Sequence, residues 1–335
     1  MRKVPVTELG MPEDSPFDAY VAETDQEWLD FRKQGIGGSD TSAIIGVSKW
    51  RTPIETWMEK TGRREVPDLS SKESVEWGTL LEPVIRNKFA RSHPELRVFE
   101  VNASLVSKDR EWAHANLDGV IVDADGNFGI LEIKTAGYRS EKDWSDGVPD
   151  YYMAQVTHYM GVTGWKYAYV AVLIGGQKYL EFRVERDDED VEFVAAQVDV
   201  FWNECVKGGS MPVILGRQEE SRAALALSPK GHGEHHVTGR GAVTEFNNLV
   251  WKYLNARDEE ANAKSRKDDA SAKLKILVGD SNAVTSDIYK VVWSRGVRTT
   301  FDKKRLAEEH PEIYDQYAKA IPSDWGLRVT EIGKM

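Results

Sequence analysis

A single cysteine, Cys205, stands in a chain of 335 residues. This excludes an internal disulfide framework and any metal or iron–sulfur site built from several thiolates. Free cysteine is most often a small buried apolar residue, and Cys205 is read as one. No apolar run approaches the ~20 residues that a membrane-spanning helix requires. The opening MRKVPVTELG carries a basic pair with no apolar stretch behind it, so no secretory signal is visible. These absences predict a soluble, cytoplasmic protein. Positive charge is also short: 44 Lys and Arg against 55 Asp and Glu leave a net charge of −11. A protein that coats nucleic acid through a basic surface does not look like this. A confined groove stays possible, because the acids gather in segments such as 185–192 while Lys49, Arg51, Arg63, Arg64, Arg139 and Lys142 fall near the candidate site residues.

What the chain does have is enough length for one large or two ordinary domains, and eleven tryptophans, which argue against disorder. Residues 1–24 read as an N-terminal extension and 25–220 as one mixed α/β (α+β) domain. A Gly- and His-rich stretch over 221–242 reads as a linker, and 243–335 as an accessory module of long helix, β-hairpin and short helix. Helices are expected from Asp25, after Ser39, from Pro53, over Ser74–Arg91, over Tyr151–Gly161 and over Asp190–Val206. Pro83 inside the fourth would kink or start a helix. Strands are expected over Arg97–Val101, Trp112–Ala115, Asp118–Val122, Gly129–Ile133, Lys166–Leu173 and Tyr179–Val184. In the module, Val243–Leu277 is the long helix, Ile288–Trp293 and Val297–Phe301 form the hairpin, Asp302 caps a helix, and an extended piece ends near Thr330.

The strongest chemical signal is Asp118-Gly119 followed by Glu132-Ile133-Lys134. Side chains alternate along a strand, so Glu132 and Lys134 project to one side while Ile133 enters the core. Two hard oxygen ligands beside one ammonium suit metal-assisted phosphodiester hydrolysis. A hairpin with a solvent-facing Glu–Lys pair shows the same letters. The apolar neighbours Ile130, Leu131 and Ile133 weigh against it, since an unpaired charge there would be costly.

Four motifs in order, spread over residues 28–173, resemble the YqaJ-like viral recombinase nucleases, relatives of the phage lambda exonuclease within the PD-(D/E)xK superfamily. They are Phe31 to Asp40 with Ala43-Ile44-Ile45-Gly46, then Trp77 to Pro83, then Asp118-Gly119 with Glu132-x-Lys134, and last Gln155-x-x-x-Tyr159. The resemblance implies a central mixed sheet flanked by helices, with Asp118, Glu132 and the Ile133 carbonyl on a metal and Glu82 joining directly or through water. Lys134 would be the catalytic lysine, and Gln155 would hold a water or a phosphate. Arg32 and Ser39 would contact a 5′-terminal phosphate, with Tyr159 also on the substrate side. It further implies Mg²⁺, with Mn²⁺ as a substitute. The activity would be a 5′→3′ exonuclease that leaves 3′ tails for a single-strand annealing protein. The host cytoplasm would be its location if the gene is phage-borne, and a homo-oligomer, a trimeric ring, its assembly. A structure- or sequence-specific endonuclease and a non-catalytic DNA-binding scaffold compete with that reading.

Several residues carry a plainer reading beside the functional one. Glu82 suits a surface acid at a helix start, Ser39 a helix cap, and Gln155 and Tyr159 the edge of a core. Asp109 suits a turn better than an extra metal acid. His232, His235 and His236 lie in the Gly-rich linker, a poor place for a structural metal. Gly175-Gly176 and Gly208-Gly209 are turns and not phosphate loops. Trp50, Trp57, Trp77 and Trp112 are expected to be mostly buried, with base stacking as the alternative.

Overall fold

In a computed structural model of the chain, residues 1–65, 72–215, 236–292, 299–318 and 329 are described. Two units divide the chain, Met1–Pro229 and Lys230–Met335.

The first unit is built on a five-stranded mixed sheet of order β3-β6-β7-β8-β9. Its strands are β3 (Arg97–Phe99), β6 (Gly119–Val122), β7 (Phe128–Ala136), β8 (Tyr167–Ile174) and β9 (Lys178–Glu185). All pairings are antiparallel except β7 with β8. A parallel pair needs a crossover, and α5 (Asp150–Thr163) supplies it. One face of the sheet is covered by α4 (Glu73–Ser92), whose Ile85 and Phe89 pack on Ile121, Leu131 and Ile133. The opposite face packs Ile130, Val170 and Val172 with Val156 and Met160 of α5. Pro83 sits inside α4 on its exposed side, where the N–H it lacks costs the helix least because water can replace the bond.

A smaller antiparallel sheet joins β1 (Arg2–Val4), β2 (Phe17–Val21), β4 (Ser104–Ser107) and β5 (His114–Ala115). Residues 1–24 are therefore part of this sheet, contributing two strands that the sequence pattern did not reveal. Three short helices lead into the site: α1 (Asp25–Arg32), α2 (Gly38–Ile44) and α3 (Pro53–Lys60). Thr24 caps α1, accepting from the Glu27 N–H at 3.2 Å. Thr52 and Glu55 close a reciprocal capping box at α3. The last helix of the unit, α6 (Asp188–Val200), widens into a π-type turn over Phe201–Lys207. That turn buries Phe201, Trp202 and Cys205, and the Cys205 carbonyl accepts from Trp57 Nε1 at 2.8 Å. Trp57 and Trp112 are 5% and 7% exposed, but Trp50 and Trp77 are 65% and 53% exposed, so the four tryptophans divide evenly rather than being mostly core.

The second unit holds α7 (Arg240–Val278), the hairpin of β10 (Ala283–Thr285) and β11 (Lys290–Val292), α8 (Lys303–Glu309) and α9 (Pro311–Tyr317). The long helix starts inside the stretch read as linker. Asp302 caps α8, accepting from the Arg305 N–H at 3.0 Å. The hairpin differs from expectation: the strand near Ile288–Trp293 pairs backwards with Ala283–Thr285. Ser286 drives this, its N–H donating to the Tyr289 carbonyl and its hydroxyl accepting from the Ile288 and Tyr289 N–H groups. Positions 293–298, the expected turn and the start of the partner strand, lie outside the described residues, as do His232, His235 and Thr330. Among the described residues no helix is long and apolar enough to cross a membrane.

Two buried histidines tie the sheets to the α1–α2 loop. The His158 Nε2–H is shared between the Ile36 and His114 carbonyls, each at 3.1 Å. Burial holds both imidazoles down to about 4, with the Lys60 charge adding to the effect at His114. An unfolded histidine takes its proton near pH ~6.5. Between there and about 4 the unfolded chain therefore binds more protons, and each histidine withdraws stability as pH falls. Replacing His158 by Gln, which keeps an N–H donor, removes one of the two contributions. Relative to wild type, His158→Gln should gain roughly 2–3 kcal/mol between pH 7.5 and 4.5 in denaturant unfolding. A pH-independent difference would contradict this.

Candidate active site

The β6–β7 hairpin positions the first two carboxylates. Asp118 stands one residue ahead of β6, and its Oδ2 accepts from the Ile133 N–H at 2.7 Å. This bond fixes the acid against the middle of β7. Alternation then turns Ile133 toward α4 and Glu132 and Lys134 toward α5. Glu132 is fully buried. Its Oε1 accepts from the Lys134 ammonium and from Gln155 Nε2, the latter at 2.6 Å. Gln155 Nε2 also reaches the Tyr159 hydroxyl at 3.1 Å. Glu132 Oε2 has no hydrogen-bond partner among the described residues.

Electrostatics follow from this packing. Burial pushes Glu132 up to about 8, the Asp118 charge adds to the rise, and the Lys134 ammonium opposes it. Asp118 is raised by burial as well, against the pull of Lys134, the Ile133 N–H and Arg86. Burial disfavours the Lys134 charge, but Glu132 and Asp118 outweigh it and keep the ammonium protonated beyond its ordinary range. Tyr152 adds an aromatic face 5.0 Å from Lys134 Nζ.

Glu82 approaches from α4. Its carboxyl is raised by burial and by the Asp118 charge, and its Oε1 pairs with Arg86 one turn along. Arg86 is the residue that sequence reasoning missed. It is nearly buried, donates Nε to the Asp118 carbonyl at 2.9 Å, and bonds Glu100 at 2.6 Å. The signal was present as a Glu–Arg pair at i, i+4 on the helix. Among the described residues no compact group of three acid, histidine or cysteine side chains encloses a metal position. The Asp118 and Glu132 carboxylates meet at the middle of β7, with Glu82 held beside them by Arg86.

A cationic cluster borders this centre at the start of α2. Arg32 Nη2 donates to Ser39 Oγ at 2.8 Å. Beneath them lies buried Asp40, which accepts from the Gly37 N–H at 3.1 Å and pairs with Lys60 at 2.7 Å and with Arg51. Lys60 also holds the Arg32 carbonyl at 2.7 Å. Burial opposes the Asp40 charge, yet these cations hold its carboxyl far below the usual range. The motif from Phe31 to Asp40 contains this acid, but its letters alone do not disclose the ion pairs around it. Gly38 joins the two clusters: a Cβ there would fall 2.5 Å from Gln155 Cγ and 2.7 Å from Tyr159 Cε1. Only glycine lets α2 approach α5 so closely. Asp109 lies elsewhere, on a cleft with Lys108, Arg110 and Trp202. The Ser107 hydroxyl, accepting from the Arg110 N–H at 3.2 Å, marks that segment as a turn.

Comparison with known proteins places the chain in a family. Residues 27–166 match the model of the YqaJ-like viral recombinase domain. The protein YqaJ of Bacillus subtilis (strain 168) is 34% identical over 298 residues, 88% of this chain and 90% of that one. Among solved structures, the alkaline exonuclease LHK-Exo of Laribacter hongkongensis is 19% identical with a TM-score of 0.45, covering 61% of this chain and 100% of its own. A phage-related exonuclease from Haemophilus somnus 129PT is 13% identical with a TM-score of 0.38, covering 55% of this chain and 100% of its own. With the match to the domain model and a relative of this identity along nearly the whole length, the chain belongs to the YqaJ-like viral recombinase family.

Proposed function

We propose that the protein is a divalent-metal-dependent exonuclease that degrades linear duplex DNA 5′→3′ and leaves 3′ single-stranded tails for an annealing protein. The observation that carries the reading is Glu132 Oε2, an oxygen of a fully buried carboxylate without a partner among the described residues. Leaving such a group unsatisfied costs more than the ~1–3 kcal/mol of a neutral polar group. A hard cation taking that oxygen would remove the cost and relieve the repulsion between Glu132 and Asp118. Asp118, Glu132 and the Ile133 carbonyl would hold Mg²⁺, or Mn²⁺ in its place, with Glu82 joining directly or through water.

Once bound, the metal supplies Lewis-acid stabilisation of phosphoryl charge and a more acidic water. The chain does the rest. Lys134, held protonated by its two carboxylate neighbours, is suited to stabilising charge on a phosphate oxygen rather than taking a proton. Gln155, fixed by Glu132 and Tyr159, orients the nucleophile. Arg32 and Ser39 offer a guanidinium and a hydroxyl to a 5′-terminal phosphate, with the Tyr159 hydroxyl facing the same end of α2. A homo-oligomeric ring, a trimer, belongs to the same reading, with the Lys230–Met335 unit as a candidate surface for assembly or for the annealing partner.

Linear duplexes labelled at either end should lose nucleotides from the 5′-phosphorylated end in Mg²⁺. Arg32→Ala should slow this about 10–100-fold, the value of one charge-assisted contact, and abolish preference for the phosphate. Efficient cutting of relaxed circles would overturn the exonuclease reading. Stability gives a second test that needs no turnover. If a cation takes the Glu132 oxygen, saturating Mn²⁺ should raise the melting temperature of wild type by a few °C and leave that of Glu132→Gln nearly unmoved. Equal shifts in the two proteins, or none in wild type, would count against the metal site.

A further inference from the structure

We infer that α7 is a self-association element, which pairs antiparallel with α7 of a second copy about a two-fold axis near Asn262. The pairing is independent of the nuclease chemistry and gives the second unit one definite partner.

A helix of 39 residues is about 58 Å long. Helices in proteins owe most of their stability to an apolar face packed on something else. Yet of all α7 only Val278 is buried. Phe246, Leu249 and Tyr253 toward one end, and Leu274 and Leu277 toward the other, are exposed. These residues follow a heptad. Phe246, Val250, Tyr253 and Leu274 fall on its two seam positions, and so do Arg257, Glu260, Lys264 and Lys267 between them. Beside the seam, Leu249, Ala263 and Leu277 share one flanking position, each two heptads from the next. The seam is apolar toward its ends and charged in its middle.

The charges choose both the partner and the direction. A parallel pair in register would set Arg257, Glu260, Lys264 and Lys267 each against its own like. An antiparallel pair centred near Asn262 instead layers Val250 on Leu274, Leu249 on Leu277, and Ala263 on Ala263 of the second copy. Glu260 then meets Lys264, twice by symmetry. Within the chain these two stand one helical turn apart, yet neither forms an ion pair among the described residues, whereas Arg257 pairs with Asp258 and Lys273 with Asp269. Arg257 and Asp258 come against Asp268 and Lys267, so opposite charges face one another there too. A segment complementary to itself under a two-fold is what an isologous interface requires. A strip about 50 Å long and ~10 Å wide on each helix buries on the order of 1,000 Å² in total, the size at which a biological interface begins. Because a two-fold pair joins copies two at a time, it adds to a ring and does not build one.

The test is cross-linking of the full-length protein with a short bis-maleimide, which the single native cysteine permits because Cys205 is buried. Ala263→Cys should be captured as a covalent dimer, and wild type should give no product. Leu249→Cys and Leu277→Cys should each stay uncross-linked, whereas the double variant should form dimers. Those two positions lie about 42 Å apart along one helix, too far for an internal link. In sedimentation, Leu249→Lys should lower the native mass about twofold, and adding Leu277→Glu should restore it. Both substitutions fall on exposed helix positions, so the fold should tolerate them. No dimer from Ala263→Cys overturns the pairing, as does a mass unmoved by Leu249→Lys. Cross-linking of Leu249→Cys alone, as strong as that of the double variant, overturns the antiparallel arrangement. None of these measurements reads nuclease activity. A cross-linked protein that leaves DNA intact would remove the exonuclease reading alone, and an uncross-linked protein that digests DNA would remove the pairing alone.

Discussion

The contact on which the site depends is the buried carboxylate of Glu132, placed on the middle of a central strand and held by one ammonium and one amide. A core strand would ordinarily carry an apolar side chain there. Its neighbours Leu131 and Ile133 pack against α4, and the register of β7 with β8 leaves Glu132 opposite Val170. The fold therefore commits binding energy elsewhere to keep a charge where water cannot reach it. Such a cost is tolerated at functional positions and rarely elsewhere. Lys134 and Gln155 satisfy one oxygen, and the other has no hydrogen-bond partner among the described residues.

The surrounding elements follow from that constraint. The Asp118 bond to the Ile133 N–H brings a second carboxylate to the same strand, and Arg86 steadies it through its carbonyl while holding Glu82 back. On the other face, Gly38 lets α2 rest against Gln155 and Tyr159. The cation cluster of Arg32, Arg51 and Lys60 around Asp40 is thereby set beside the Glu132–Asp118 carboxylates. Under the proposed exonuclease reading, that close approach would fix the separation between the Arg32–Ser39 pair and the carboxylates, which a direction along DNA would require.

Much of this was legible in the sequence. Asp118, Glu132 and Lys134 could be read because strand periodicity predicts which side chains share a face. The α1 and α8 caps, the crossover helix and the long helix of the second unit follow from capping chemistry and helical spacing. Strands β1, β2 and β4 were not legible, since three to five residues carry too little alternation and their pairing is long-range. In the second unit the Ser286 hydroxyl closes a turn ahead of the expected hairpin, whose own turn lies outside the described residues. Arg86 and Asp40 escaped the sequence reading for a different reason: the bond of Arg86 to the Asp118 carbonyl and the pairing of Asp40 with Arg51 and Lys60 exist only once separate elements meet. The exposed Trp50 and Trp77 show the same limit, since residue type alone does not say which aromatics reach solvent.

The central claim, that the buried Glu132 carboxylate exists to bind a divalent cation, is tested most directly by titrating Mn²⁺ into the DNA-free protein and its Glu132→Gln variant and following the free-ion electron paramagnetic resonance signal. Saturable binding by wild type, weakened at least tenfold in Glu132→Gln, is the expected result. Equal affinity in the two proteins, or no saturable binding by either, would contradict it.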